Sequence, residues 1–150
     1  FIDPNLITEM IFEATKSKNE FDVITPIYKL KSEDIHNPNV VKVLLGVNNQ
    51  IIYFSRYPLP YQRDNLPSNW HNKKDYWGHV GIYGYKANVL NKWEKMQKST
   101  LEECEKLEQL RLIDNQFRFK SFPVKGDFLS VDTYEQLQKA RLHYKSYNKN

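Results

Sequence analysis

The spacing of apolar residues predicts both helices and strands along this chain. A first helix is indicated close to the start, where Asp3 or Asn5 can cap it and Pro4 suits its first turn. Residues 22–26 then read as a short strand, and Pro26 places the end of that strand near a sheet edge. The apolar residues of the helix recur at helical spacing and are Leu6, Ile7, Met10, Ile11 and Ala14.

Further along, the pattern indicates a β-hairpin and a later strand. Residues 40–45 form a dense apolar run, residues 51–54 form a second one, and Asn48 and Asn49 make a turn between them. Residues 117–124 alternate between apolar and polar positions as a strand does. Strands interspersed with helices are typical of an α/β fold.

Two helices are predicted in the second half of the chain. Residues 87–96 form a short one, and residues 99–102 form a capping box that opens another, which Asn115 closes. Cys104 belongs to the apolar stripe of that helix, so it is predicted to be a small core residue rather than a nucleophile. The stripe consists of Leu101, Cys104, Leu107, Leu110 and Ile113.

The most informative stretch is residues 76–90. Its middle alternates with a period of two, which predicts a strand with His79, Gly81, Tyr83 and Tyr85 on one face. Glycines inside a strand usually mark a bulge or the close approach of a backbone or a ligand. This face is either the floor of a site for a polar ligand or part of a core strand whose polar groups find local partners.

The connections are polar. Residues 65–75 are punctuated by Pro67 and are predicted to form a mobile loop, in which Trp70 and His71 resemble a lid or a partner contact. His36, in an earlier polar connection, is predicted to lie at the surface.

Composition bounds the class of protein. The 150 residues, 40% hydrophobic and 27% charged, suffice for one globular domain, residues 1–150. The net charge of +4 fits an anionic substrate as well as a nucleic acid. The single cysteine excludes an internal disulfide, which indicates a reducing cytoplasm. No apolar run is long enough to span a membrane, and no signal peptide opens the sequence.

Several segments together resemble one enzyme family. GHVGIYGYKANVL resembles the H-[IVL]-G-I-Y-[GA]-Y-[RK] strand of the CMP-Kdo synthetases, the 3-deoxy-manno-octulosonate cytidylyltransferases. The segments NPNVVKV, YFSRYPLPYQRD, LEQLR and VDTYEQL occur in the order of that family and at about its spacings. The resemblance covers nearly the whole chain.

The resemblance implies a fold and an activity. The fold would be α/β, a mixed sheet flanked by helices, forming the C-terminal part of a Rossmann-like nucleotidyltransferase. The activity would be Mg²⁺-dependent transfer of CMP from CTP to 3-deoxy-manno-octulosonate or a related sugar acid, with release of pyrophosphate, for lipopolysaccharide biosynthesis. The resemblance also implies a cytoplasmic homodimer that binds neither nucleic acid nor membrane.

It further implies roles for particular residues. Arg63 would contact phosphate or a neighbouring subunit, and Asp132 would be the catalytic metal ligand, since Mg²⁺ prefers carboxylate oxygen. The first arginine of the YFSRYPLPYQRD segment suits a carboxylate because its guanidinium can hold both oxygens. The residues implied to hold the acid sugar are Arg56, His79, Tyr83, Glu108 and Gln109.

Without the resemblance, the same residues have ordinary explanations. Arg56 and Arg63 would be solvated arginines beside a stiff loop, and Glu108 and Gln109 would be solvated helix residues. Asp132 would be the N-cap of a last helix.

The chain also departs from the family pattern. Gly78, Ser130, Tyr134 and Gln136 replace residues common in the family, which leaves the particular sugar open. The nucleotide-binding segment of the family and its G-D-E-P segment have no counterpart here, and 5 glycines provide no phosphate cradle. The sequence therefore predicts an enzyme portion that is inactive by itself.

Two other functions compete with catalysis. The first is a non-catalytic fragment or paralogue that keeps the sugar-binding and dimerising half. The second is a basic, aromatic-rich nucleic-acid binder, which 14% aromatic residues support only slightly and no recognition motif supports.

Overall fold

The structure is a computed structural model that describes residues 3–17, 20–126, 128, 134, 137, 138, 140 and 141. Its helices are short, and within those residues none is both long and apolar enough to cross a lipid bilayer. The helices are α1 (Pro4–Lys16), α2 (Ser32–Ile35), α3 (Ala87–Trp93), α4 (Thr100–Glu105) and α5 (Leu110–Asp114), with 3₁₀ turns at Val47–Asn49 and Pro67–Asn72. The strands are β1 (Val23–Lys29), β2 (Lys42–Leu45), β3 (Gln50–Ser55), β4 (Trp77–His79), β5 (Gly84–Tyr85) and β6 (Phe119–Pro123).

The six strands form one mixed sheet in the order β4-β2-β3-β6-β1-β5, and β4 also pairs with β1. The β1–β6 pair is parallel, whereas β1 is antiparallel to β4 and β5. Helix α1 packs on one face of the sheet through Leu6, and the segment from α3 to α5 packs on the other through Val89 and Leu110. The predicted α/β class, a mixed sheet flanked by helices, is confirmed.

The local signals for α1 and for the hairpin are confirmed. Asp3 is the N-cap of α1, and its carboxylate accepts a hydrogen bond of 2.9 Å from the Asn5 amide. The β2–β3 hairpin turns at Asn48 and Asn49, whose φ angles of 55° and 57° are tolerated by asparagine. The predicted apolar stripe of α1 is only partly buried, since Ile11 is 61% exposed.

Strand β1 corrects the prediction that Pro26 lies near a sheet edge. The strand continues to Lys29, it has neighbours on both sides, and Pro26 lies in its middle, opposite Phe122 of β6. The Pro26 carbonyl accepts from the Val80 amide, so the position of its missing N–H faces the β4–β5 side. A central proline is accommodated here because the partner strand is interrupted at that point.

That interruption corrects the prediction of one continuous strand over residues 79–85. His79 pairs with Ile27 and Gly84 pairs with Ile24, so the partner strand carries two extra residues. The Thr25 hydroxyl donates to the carbonyls of Val80 and Ile82, at 3.1 and 2.7 Å, where the ladder is broken. The bulge lets the chain pass the proline without leaving these carbonyls unpaired.

The helix predicted from residue 99 is two helices. Ser99 caps α4 as predicted, and its hydroxyl accepts from the Glu102 amide at 3.2 Å. The helix stops at Lys106, whose φ of 55° and ψ of 46° are left-handed, and α5 then ends at Asn115 as predicted. The helical spacing used for Cys104 is lost at this break. Cys104 is exposed, so its prediction as a core residue is wrong.

The segment predicted as a mobile loop contains a buried anchor. Trp70 is 1% exposed and packs with Leu30, Ile35 and Tyr76. Its indole N–H donates to the Asn65 carbonyl at 3.0 Å. The expectation that Trp70 is a lid or a partner contact is therefore wrong, because the side chain fills a small core of its own, whereas His36 is exposed as predicted.

Gly78→Ala should lower the free energy of unfolding by about 1–3 kcal/mol, the range typical of overpacking. A Cβ at Gly78 would lie 2.5 Å from Leu30 Cδ2 and 2.6 Å from Tyr28 Cζ. Gly81→Ala is the matched control, because nothing lies within 4 Å of a Cβ there, and its effect should stay within about 0.5 kcal/mol. Urea unfolding measures both, and equal effects would contradict the β1–β4 register.

Candidate functional site

A surface cleft of about 320 Å³ lies between the end of β5 and the turn that joins α4 to α5. Its volume is at the small end of the range typical of ligand sites. Four of the predicted site residues are found here. Tyr83, Glu108 and Gln109 line the cleft, and His79 lies beneath it in contact with Tyr83. The lining residues are Tyr83, Tyr85, Trp93, Lys106, Leu107, Glu108 and Gln109.

One wall of the cleft is aromatic. The rings of Tyr83 and Tyr85 stack with centroids 5.6 Å apart, and Trp93 meets Tyr85 edge-on at 5.6 Å. Burial raises the pKa of Tyr85 to about 12 and also raises the pKa of Tyr83, so both hydroxyls stay protonated at neutral pH. The predicted shared face of the central stretch survives the bulge for His79, Tyr83 and Tyr85, since their rings remain in contact.

His79 lies beneath that wall. Its ring contacts Phe54 edge-on at 5.1 Å and Tyr83 at 5.1 Å. Its Nε2 atom is buried and has no hydrogen-bond partner. Burial lowers the pKa of His79 to about 4, so the imidazole is neutral at pH 7. This unpaired nitrogen lies below the surface, and His79 is not among the residues that line the cleft.

The other wall is the turn that follows Lys106. Leu107 and Leu110 are buried below it, and the Leu110 amide donates to the Leu107 carbonyl at 3.1 Å. This anchoring holds Glu108 and Gln109 at the cleft, with Glu108 exposed and Gln109 buried. A carboxylate and an amide offer acceptors and donors together, which suits a polyhydroxylated ligand.

Arg56 lies next to this turn, outside the residues that line the cleft. Its Nε donates to the Glu105 carbonyl at 2.8 Å, and its Nη1 donates to the Pro38 carbonyl at 3.0 Å. The Glu105 carboxylate in turn accepts from the Arg56 amide and from the Ser55 hydroxyl, at 2.9 and 2.7 Å. Arg56 therefore ties the end of β3 to the end of α4. Its predicted contact with a sugar carboxylate stays a prediction.

Sequence reasoning missed a buried ion pair that supports the cleft. The Arg111 guanidinium donates to both carboxylate oxygens of Glu102, at 2.7 and 2.6 Å, and it lies 5.9 Å from the centre of the Trp93 ring. The hydrogen bonds from Arg111 lower the pKa of Glu102. The missed signal was available, because Glu102 is the last residue of the capping box and Arg111 ends the LEQLR segment. Lys106 and Trp93 carried no signal that a pattern could detect.

The remaining predicted residues lie elsewhere. Arg63 is exposed in the loop after Pro60 and makes no ion pair with the residues that the structure describes. Asp132 lies outside the described residues. Among the described ones, no group of three or more histidine, cysteine, aspartate or glutamate side chains is arranged to hold a metal ion.

The fold and the sequence define the class of protein. A family profile described as cytidylyltransferase matches residues 1–122. The chain belongs to the cytidylyltransferase family.

Its relatives are more particular. The chain is 36% identical over 148 residues to the 3-deoxy-manno-octulosonate cytidylyltransferase of Fusobacterium nucleatum subsp. nucleatum, which covers 98% of the chain and 58% of the relative. It is 35% identical over 149 residues to the enzyme of the same name from Thermodesulfovibrio yellowstonii, covering 97% of the chain and 58% of the relative. The predicted resemblance to the CMP-Kdo synthetases is confirmed.

A solved structure gives the same result. The structure of CMP:2-keto-3-deoxy-manno-octonic acid synthetase complexed with CTP matches with a TM-score of 0.84 and 29% identity. The match covers 97% of this chain and 58% of that one. The chain thus spans somewhat more than half the length of the proteins it matches.

Lowering the pH from 6.5 to 4 should destabilise the protein through His79. Its pKa falls from 6.5 in the unfolded chain to about 4 in the folded one, so between these values only the unfolded chain binds the proton. The contribution of His79 to the free energy of unfolding is fully present above pH 6.5. It is lost as the pH drops through this window, by on the order of 3 kcal/mol. Chemical unfolding at several pH values measures the slope.

His79→Phe should flatten this slope between pH 4 and 6.5, because it removes the titrating ring and keeps an aromatic side chain against Phe54. The exposed His71 provides the control, since His71→Gln should leave the slope in place. An unchanged slope in His79→Phe would show that another group causes it.

Proposed function

We propose that this chain forms the sugar-binding part of a 3-deoxy-manno-octulosonate cytidylyltransferase. The observation that carries the proposal is the cleft, which Tyr83, Tyr85, Glu108 and Gln109 line, with the ring of His79 in contact with Tyr83. Within the described part of the chain, the side chains of these four lining residues make no hydrogen bonds to one another or to their surroundings. A ligand rich in hydroxyl groups would supply partners for all of them.

The proposed ligand is an acid sugar with the hydroxyl groups of 3-deoxy-manno-octulosonate. Gln109 would donate and accept, Glu108 would accept from hydroxyls, and the neutral imidazole of His79 would complete one further hydrogen bond. The phenol hydroxyls of Tyr83 and Tyr85 would close the aromatic side. The proposed enzyme is a cytoplasmic homodimer. Arg63, in its exposed loop, would contact either phosphate or the second subunit.

The proposed reaction is nucleotidyl transfer. The oxygen of the sugar's anomeric hydroxyl would attack the α-phosphorus of CTP, a new P–O bond would form, and the bond to the β-phosphate would break to release pyrophosphate. The hydroxyl proton would pass to solvent. The residues of the cleft would bind the sugar and orient its hydroxyl for in-line attack.

Asp132 would be the residue of this chain that binds Mg²⁺. The described residues hold no group of three or more histidine, cysteine, aspartate or glutamate side chains that could bind a metal ion, and Asp132 lies outside them. When bound, Mg²⁺ would neutralise charge on the triphosphate. Asp132 would supply one oxygen ligand, as expected for this hard cation.

The nucleotide site belongs to a further part of the enzyme in this proposal. The chain spans 58% of the length of its relatives, and its sequence holds no glycine-rich cradle for a triphosphate. Ile11 and Phe12 of α1 are 61% and 65% exposed, and β5 is the last strand in the sheet order. Additional chain packed on these surfaces would bury them. A non-catalytic module, in which the cleft binds the sugar without a reaction, is the second candidate.

The 150 residues alone should not release pyrophosphate from CTP, Mg²⁺ and 3-deoxy-manno-octulosonate, because their sequence contains no glycine-rich cradle for the triphosphate. The measurement is a coupled pyrophosphate assay with the purified chain, and the matching enzyme from Fusobacterium nucleatum provides the positive control. Sustained multiple turnover by the 150-residue chain would refute this prediction and reveal a nucleotide site within it.

Glu108→Ala should raise the dissociation constant of the chain for 3-deoxy-manno-octulosonate about tenfold, because a carboxylate that accepts from sugar hydroxyls is lost. Glu103→Ala is the matched control, since Glu103 is exposed on α4 and lies outside the cleft. Isothermal titration calorimetry measures both affinities. Equal effects of the two substitutions would exclude the cleft as the sugar site.

A further inference from the structure

The cleft rests on three short helices that no continuous helical backbone joins. Helix α3 carries Trp93, α4 carries Glu102, and α5 follows the turn that presents Glu108 and Gln109. The left-handed conformation of Lys106 breaks the helix between α4 and α5, so their relative orientation is not set by one helical backbone. Contacts across the break therefore decide that orientation.

Arg111 makes contacts that bridge this break. Its guanidinium donates to both carboxylate oxygens of Glu102, at 2.7 and 2.6 Å, and lies 5.9 Å from the centre of the Trp93 ring. Its backbone amide donates to the Glu108 carbonyl at 3.1 Å. One residue thus contacts α3, α4 and the turn that carries Glu108.

The pair of Arg111 and Glu102 differs in burial from a surface ion pair. Its two side chains are 13% and 7% exposed, whereas those of Lys29 and Asp75 are 64% and 49% exposed. A bidentate pair removed from water has a defined geometry, and salt screens it less than an exposed pair. The hydrogen bonds to Glu102 raise the pKa of Arg111, and the negative charge of Glu108 adds a smaller part. The guanidinium therefore attracts Glu108 as well as Glu102.

We infer that Arg111 is a positioning residue of the cleft, which binds Glu102 across the helix break and thereby fixes the turn of Glu108 and Gln109 relative to Trp93. The inference rests on the proposed function, in which the side chains of this turn bind the hydroxyl groups of the sugar. Arg111 is not among the residues that line the cleft, so it acts on the ligand through them.

Replacing both partners by apolar residues separates orientation from stability. Removing one partner leaves a buried charge unpaired, whereas apolar replacement of a whole pair is often neutral for stability. Glu102→Leu combined with Arg111→Met should therefore unfold near the temperature of the parent chain. Its dissociation constant for 3-deoxy-manno-octulosonate, measured by calorimetry, should rise about tenfold, as expected for loss of the contact with Glu108. Arg111→Lys, which keeps the charge without the planar fork, should lie between the two.

A cycle with Glu108→Ala distinguishes positioning from a general weakening of the fold. In a chain that already carries Glu108→Ala, replacing the ion pair should cost little further affinity, because a positioning residue acts through its target. Lys120→Met is the matched control, since Lys120 pairs with Glu20 at 2.8 Å and lies outside the lining of the cleft. It should leave the affinity for the sugar unchanged, whatever its effect on stability.

Fluorine NMR of the chain labelled with fluorotryptophan tests the arrangement of the cleft without the sugar. The chain contains three tryptophans, and Trp93→Phe identifies the resonance of Trp93. In the double variant that resonance should broaden or split, because the ring is no longer held in one position. The resonances of Trp70 and Trp77 should stay unchanged.

Three results would overturn the inference: an unchanged affinity in the double variant, additive losses in the cycle with Glu108→Ala, or a Trp93 resonance that stays single and sharp. Failure of the parent chain to bind the sugar would overturn the proposed function instead. The Trp93 resonance would then decide by itself whether Arg111 holds the cleft in its arrangement.

Discussion

The structure depends on a single strand, β1, whose backbone must find partners on both sides. Five consecutive residues of it, from Val23 to Ile27, are buried, so each of their polar backbone groups needs a hydrogen bond. Strand β6 provides them on one side, and β4 and β5 provide them on the other. The proline in its middle removes one donor, and the bulge lies opposite it. The chain at the end of this bulge contributes Tyr83 and Tyr85 to the aromatic wall of the cleft.

The turn after α4 connects the fold to the chemistry. On its inner side, Glu105 accepts hydrogen bonds from Ser55 and Arg56 at the end of β3, and on its outer side the chain presents Glu108 and Gln109. The pair of Arg111 and Glu102 supports Trp93 from below in the same region. Removing one partner of such a pair leaves an uncompensated charge, so each group is needed where the other is present.

Local signals in the sequence predicted much of the fold. The Asp3 cap, the Asn48 turn and the Ser99 capping box each depend on hydrogen bonds within a few residues, and all three are present. Features that depend on distant partners were not predictable. The helix break at Lys106 is stabilised by a hydrogen bond from Arg56, 50 positions earlier in the chain. The bulge before Gly84 lies opposite Pro26. For the site, the period-two pattern placed His79, Tyr83 and Tyr85 on one face, whereas only the family resemblance singled out Glu108 and Gln109. The position of Arg56 behind the turn depends on tertiary packing.

The parallel pairing of β1 with β6 has a consequence for the way the chain folds. Asp22 and Arg118, at the start of this pair, are joined by a hydrogen bond although 96 residues separate them. Closing a loop of that length costs on the order of 4 kcal/mol in chain entropy before any contact compensates it. The β2–β3 hairpin can form early, whereas β1 can pair with β6 only after β6 has been made. During synthesis, one edge of β1 stays unpaired until β6 has been made, and an unpaired strand edge of this kind favours aggregation.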